Sequence, residues 1–217
     1  MSRFLVFAAL CVLVLTAVSC AALAQARPPA FVASEPIAIR DEVSQDGVVR
    51  LKTGVWRRTY EVPGTNVDEI DRNLDALRVN AGHGDFNAQT KWDLRWSMRY
   101  KQEGPVCSLT AVTLEYYAVV TLPALMSEAS LAPADLERWY RFVDAIEAHE
   151  MAHVEREIAG AERLRQSLIN LPPQPECQAM AAQVSEMGEQ AKESIRRGDE
   201  AFDAETEHGA REGATFP

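Results

Sequence analysis

Ala148-His149-Glu150-Met151-Ala152-His153-Val154 sits inside a stretch, residues 136–168, where Phe142, Ile146, His149, His153, Gly160, Leu164 and Leu168 follow one another at intervals of three, four or seven. That spacing predicts a long helix with one buried stripe, and it puts both histidines in line with the stripe. Side chains at i and i+4 stand one turn apart on the same helix face, so the two imidazoles can reach one Zn2+ ion. Glu150 lies beside the pair, placed to take a proton from a zinc-bound water and return it to a leaving amine. The H-E-x-x-H pattern thus offers two ligands and a general base for peptide-bond hydrolysis. A solvated surface helix is the opposing explanation, because Glu147, Glu155, Arg156, Glu157, Glu162 and Arg163 make its remaining faces heavily charged.

Working outward, the helix extends from about Pro133 to Asn170 and is stopped by Leu171-Pro172-Pro173-Gln174-Pro175. A second begins near Glu176, with Cys177, Met180, Ala181, Val184, Met187, Ala191 and Ile195 at helical spacing. The short proline-rich connection predicts an antiparallel helical hairpin. Upstream, Trp92, Leu94, Trp96, Met98 and Tyr100 alternate with Lys91, Asp93, Arg95, Ser97 and Arg99, which is a strand with one apolar and one charged face. Residues 108–122, rich in Thr, Val and Tyr, pair with it across Glu103-Gly104-Pro105. Before these come a strand over 55–62, a turn at Pro63-Gly64-Thr65, an amphipathic helix over 67–78 and a loop at Gly82-His83-Gly84. The expected fold class is α+β: a small antiparallel sheet packed with a long antiparallel helical hairpin carrying H-E-x-x-H, a zincin-like arrangement.

Residues 1–26 read as a signal peptide, with Arg3 ahead of an apolar run from Phe4 to Val18 and a small-x-small ending at Ala24-Gln25-Ala26. Ala17-Val18-Ser19-Cys20 offers a lipid-anchored alternative through Cys20. Residues 27–56 read as an extended leader in which weak alternation at Val48, Val49 and Leu51 allows one strand, and 57–217 as the metallopeptidase domain. After the signal no run is long enough to span a bilayer, so a periplasmic or secreted location follows. Loss of residues 1–26 leaves Cys107 and Cys177, an even pair expected to form one disulfide in an oxidising compartment. Two zinc thiolates are the rival, but neither cysteine has a C-x-x-C neighbour. The formal charge of −10 becomes −11 without Arg3, which argues against nucleic acid or anionic membrane as partner.

Tyr60-Glu61-Val62-x-Gly64, Asp85-Phe86-x-Ala88-x-Thr90-x-Trp92 with Trp96, Cys107, Leu122-Pro123, the H-E-x-x-H helix, Cys177 and the closing Phe202-Asp203-x-x-Thr206-x-His208-Gly209 with Gly213-Ala214 occur in this order. Together they resemble the bacterial family of predicted secreted zinc-dependent proteases, domain of unknown function 922. The resemblance implies an extracytoplasmic zincin-like metallopeptidase; the H-E-x-x-H chemistry itself sets the expectation of a peptide or protein substrate. Phe202 stands where the family pattern often has tyrosine.

A catalytic zinc wants a third protein ligand and an open position. Arg156 and Ala159 stand where a metzincin needs glycine and histidine, which excludes that class. The family's closing motif points to His208, with Asp203 and Thr206 as residues that could hold it. If the hairpin turns near Pro173, a continuous second helix would carry His208 past His149 by roughly 15 Å. A break at Arg197-Gly198-Asp199 would correct this; an unbroken helix favours Asp199 or Glu157 instead. His83 is a weaker candidate, between glycines. Tyr116, Tyr117 and Tyr140 are available to stabilise an oxyanion. Two further functions compete with the peptidase: a non-catalytic exported domain that binds zinc or a partner, and a zinc amidase acting on cell-wall peptides.

Overall fold

The computed structural model describes residues 34–77, 79–80 and 85–217. The expected signal peptide with Cys20, and the Gly82-His83-Gly84 loop, lie outside the described residues. The chain runs through β1 (Glu35–Val43), β2 (Val49–Val62), α1 (Val67–Leu77), β3 (Val79–Asn80), β4 (Asp85–Phe86), β5 (Gln89–Glu103), β6 (Val106–Leu125), α2 (Pro133–Ile169) and α3 (Cys177–Thr206). It is an α+β fold in which four strands form one sheet in the order β1-β2-β6-β5.

β5 and β6 form the expected antiparallel hairpin, and its alternation is used as read: Leu94 is fully buried while Arg95 and Ser97 are exposed. The sheet is nevertheless mixed rather than antiparallel, because β2 lies parallel to β6 from Val49↔Val112 to Val62↔Leu125. A parallel neighbour has no connecting turn, so no local signal announces it. The stretch taken as a leader supplies β1 and the first half of β2 from residue 35 onward, and the boundary at Arg57 falls inside a strand. β1 carries no hydrophobic period because it is an edge strand with almost every side chain exposed. Without a buried face, alternation has no cause.

The hairpin of α2 and α3 covers one face of the sheet. Phe142, Ile146, Val154, Leu164 and Leu168 from α2, with Met180, Val184 and Ile195 from α3, bury against Leu94, Val112, Leu114 and Tyr116. Two glycines set how closely the layers approach. A Cβ on Gly160 would sit 2.3 Å from Ile195 of α3, and one on Gly188 would sit 2.6 Å from the Trp96 ring of β5. Proline at the first position of α2 costs no helical hydrogen bond, since that N–H has no partner in any helix. Among the described residues no helix is long and apolar enough to cross a membrane.

Cys107 and Cys177 are joined in a disulfide across 70 residues. It fastens the β5–β6 turn to the α2–α3 connection, where Cys107 also exchanges backbone hydrogen bonds with Gln174, at 2.6 and 2.9 Å. Closing a loop of this length restricts the unfolded chain by about 4 kcal/mol. Replacing both cysteines by serine is expected to lower the unfolding free energy by about that amount, measured by denaturant titration, with the native circular dichroism spectrum retained.

Candidate functional site

α2 presents His149, Glu150 and His153 inward, each at most 6% exposed. The expected stripe is therefore the buried one, and it carries the two imidazoles into the layer between the helices. α3 runs antiparallel and answers with Asp199 and Asp203. These are also four residues apart and so share one face of their helix. His149 Nε2 lies 3.2 Å and His153 Nε2 3.0 Å from the same atom, Asp203 Oδ1. The outer ring nitrogens meet other carboxylates: His149 Nδ1 is 2.9 Å from Glu212 Oε2, and His153 Nδ1 is 3.4 Å from Asp199 Oδ1.

α3 does not break at Gly198; it runs unbroken to Thr206. His149 faces Asp203 rather than Gly198, so the hairpin is centred nearer Glu176 than Pro173. The overshoot is corrected after the helix ends. Glu207, His208 and Gly209 all take left-handed backbone, with φ of 51°, 53° and 82°, and the chain doubles back. His208 Nδ1 thereby reaches within 3.4 Å of Asp203 Oδ1, on its solvent side, with the ring against Phe86 at 4.4 Å. The structure thus brings His208 to the pair, but through Asp203, which takes the place between the two Nε2 atoms. Of the alternatives, Asp199 meets the far side of His153, and Glu157 accepts a short hydrogen bond from the buried Tyr116 hydroxyl.

The closing motif acquires a local cause at each position. Phe202 stacks on His149 at 5.0 Å and 17°, and meets His153 edge-on at 5.0 Å. Thr206 donates to the Phe202 carbonyl at 2.8 Å and accepts from the Gly209 N–H at 3.3 Å, so it builds the reversal and does not hold His208. Gly209 is required twice, by its positive φ and because a Cβ there would lie 3.0 Å from His149 Cγ. The reversal leads into a short 3-10 turn that delivers Glu212.

On the sheet side, Thr90 of β5 donates through Oγ1 to Glu150 Oε2 at 2.7 Å. None of the three tyrosines weighed for an oxyanion role meets the histidine pair. Tyr116 is buried on Glu157, Tyr117 faces the opposite side of the sheet against Trp56, and Tyr140 is exposed near the start of α2. Thr90 and Glu212 escape a reading of the sequence as site residues. Thr90 resembles any strand threonine, and Glu212 lies in a turn without periodicity. Asp203 did leave a signal, namely its spacing of four from Asp199.

Electrostatics favour a cation here. Glu150, Glu157, Asp199, Asp203 and Glu212 gather around two buried imidazoles. Burial pulls the His153 imidazole down, but hydrogen bonds to Asp199 and Asp203 outweigh it and raise its pKa to about 10. Burial pushes the Asp203 carboxyl up, yet hydrogen bonds from His149 and His153 hold it well below the usual range. Desolvation raises Glu150, opposed by the bond from Thr90. His149, His153 and Asp203 offer donor atoms all within 4.8 Å of one another and could hold a metal ion. Tetrahedral zinc, with bonds of about 2.1 Å, requires neighbouring donors about 3.4 Å apart, and the nitrogen-to-oxygen separations of 3.2 and 3.0 Å approach that value. Two imidazoles and a carboxylate are donors of the kind zinc accepts. Two surface cavities, one of about 500 Å³ between β1–β2 and α2 and one of about 540 Å³ across the opposite face of the sheet, contain none of these residues.

The chain belongs to the family described as bacterial protein of unknown function (DUF922), whose model matches residues 57–209. No curated protein and no solved structure matches the chain. The match runs from within β2 to the glycine packed on His149 and so takes in every residue of the site except Glu212.

Proposed function

We propose that this member of a family of unknown function is an exported zinc-dependent metallopeptidase. His149, His153 and Asp203 hold the metal, and Glu150 serves as general base. The observation that carries this reading is the convergence of both Nε2 atoms on one carboxylate oxygen, with an acid from the same helix turn held beside them. A merely solvated pair of histidines would have no reason to be buried with that orientation.

When bound, such a metal supplies Lewis acidity, which makes water acidic enough to be deprotonated near neutral pH and polarises a peptide carbonyl. Glu150 receives the proton of the attacking water and passes it to the amine nitrogen as the C–N bond breaks. Its elevated pKa suits a proton carrier, and Thr90 fixes the carboxylate that does the work. Among the described residues β5 pairs with a strand only along its β6 side, so its outer edge can accept an extended peptide as an added strand that begins beside Glu150. Half-exposed His208 stands at the solvent side of Asp203, where it can meet a substrate carbonyl. The disulfide supports an oxidising, extracytoplasmic location.

One observation favours a second reading. His208 Nδ1 approaches the same Asp203 oxygen, and as a fourth donor it would close the site and leave a structural, non-catalytic zinc. Metal analysis and hydrolysis together test both. The purified protein is expected to contain one zinc per chain and to cleave unfolded casein or cell-wall stem peptides. Chelation should stop cleavage and added zinc restore it. Stoichiometric zinc without any hydrolysis would favour the structural site, and absence of zinc would remove both readings.

A further inference from the structure

We infer that Asp199, held by Trp92, is a positioning residue that fixes the His153 ring for the metal, and that the donor cluster around it is not a second metal site. For its bearing on catalysis this rests on the metallopeptidase reading above.

His153, Glu157 and Asp199 bring donor atoms within 4.8 Å of one another, so composition alone would permit another cation. Their existing bonds argue otherwise. Glu157 accepts the Tyr116 hydroxyl, and Asp199 Oδ2 accepts the Trp92 indole N–H at 3.1 Å. Asp199 Oδ1 lies 3.4 Å from His153 Nδ1. A neutral imidazole has one lone-pair nitrogen and one N–H. If Nε2 faces the metal, Nδ1 carries the proton and points it at Asp199. A second cation on Nδ1 would need His153 stripped of both ring protons. A carboxylate on the far nitrogen instead selects the tautomer, fixes the ring plane and strengthens the ligand.

Trp92 adds the connection to the sheet. It stands on β5, the strand whose outer edge would take the peptide, so one indole links that strand to the carboxylate behind a metal ligand. Glu212 has the equivalent position behind His149, but its side chain is 42% exposed against 16% for Asp199. The bond behind His153 is the better shielded of the two and should dominate.

The test uses the full chain, stripped of metal and titrated with Co²⁺ and then with Zn²⁺ against a competing chelator. Wild type should bind one equivalent. Asp199→Ala should weaken zinc binding by about 10–100-fold and alter the visible cobalt spectrum. Trp92→Phe should move both in the same direction by less. Asp199→Asn, which keeps an oxygen acceptor for the Nδ1 proton, should recover most of the affinity and keeps the test valid if the alanine variant does not fold. In the zinc-loaded variants kcat should fall with KM held. Wild type taking two equivalents, one of them lost in Asp199→Ala, would overturn the inference in favour of a second metal site. Unchanged affinity and spectrum in folded Asp199 and Trp92 variants would overturn it while leaving the metallopeptidase reading intact. A wild type that binds no metal would overturn both.

Discussion

Glu150→Gln should retain zinc and native structure while losing hydrolysis by about 10²–10⁴-fold, the range general-base removal produces. The substitution is nearly isosteric at a site only 6% exposed. The amide oxygen can still accept from Thr90 Oγ1, now at 2.7 Å from Glu150 Oε2, so the local geometry has no cause to change. What disappears is the ability to accept a proton. Because Glu150 is not among the atoms that converge on Asp203, metal content should be unaffected, and that separates a lost base from a lost ligand. The informative measurement is zinc per chain alongside kcat/KM on the same preparation. Undiminished hydrolysis with full zinc would remove Glu150 from the role assigned to it, whatever the metal does.

The parts legible in the sequence were those with a local period. α2 announced itself by a stripe from Phe142 to Leu168, and that stripe is buried. β5 announced itself by alternation, and the hairpin by its turn at Gly104. The parallel pairing of β2 with β6 was not legible, because partners such as Val49 and Val112 are joined by neither a turn nor a period. β1 was hidden for a different reason. An edge strand exposed on both faces leaves no contrast between neighbouring residues.

The site divides along the same line. His149, Glu150 and His153 come from one turn of one helix, where sequence spacing is spatial spacing. Their partners come from β5, α3 and the turn after it, and their register depends on where the helical hairpin is centred. A difference of a few residues in that centre exchanges Gly198 for Asp203 opposite His149. The left-handed turn at 207–209 is equally invisible locally, since two of its three residues, Glu207 and His208, are not glycine. Yet a carboxylate pair spaced by four on the second helix mirrors the histidine pair on the first, and antiparallel packing sets one against the other.

Which residue completes the ligand set is decided by a pair of substitutions with opposite expected results. Asp203→Ala should lower zinc affinity at least about a hundredfold, because even partners behind the ligands are worth about 10–100-fold. His208→Ala should leave zinc bound if Asp203 is the third ligand, since His208 reaches the pair only through that carboxylate and its side chain is half exposed. The reverse pattern would restore His208 to the metal. Protons provide an independent check. With a His153 pKa of about 10 in the metal-free site, that imidazole is protonated at neutral pH. Zinc must displace its proton, so affinity should rise with pH up to about that value and uptake should acidify a weakly buffered solution. Asp203→Ala removes one of the two carboxylates that hold the proton on His153, so less proton should be released per zinc bound. If affinity nevertheless falls, the loss comes from the missing donor and not from stiffer competition. A variant that binds zinc as tightly as wild type while releasing less proton would show that Asp203 only holds the imidazoles and does not touch the metal.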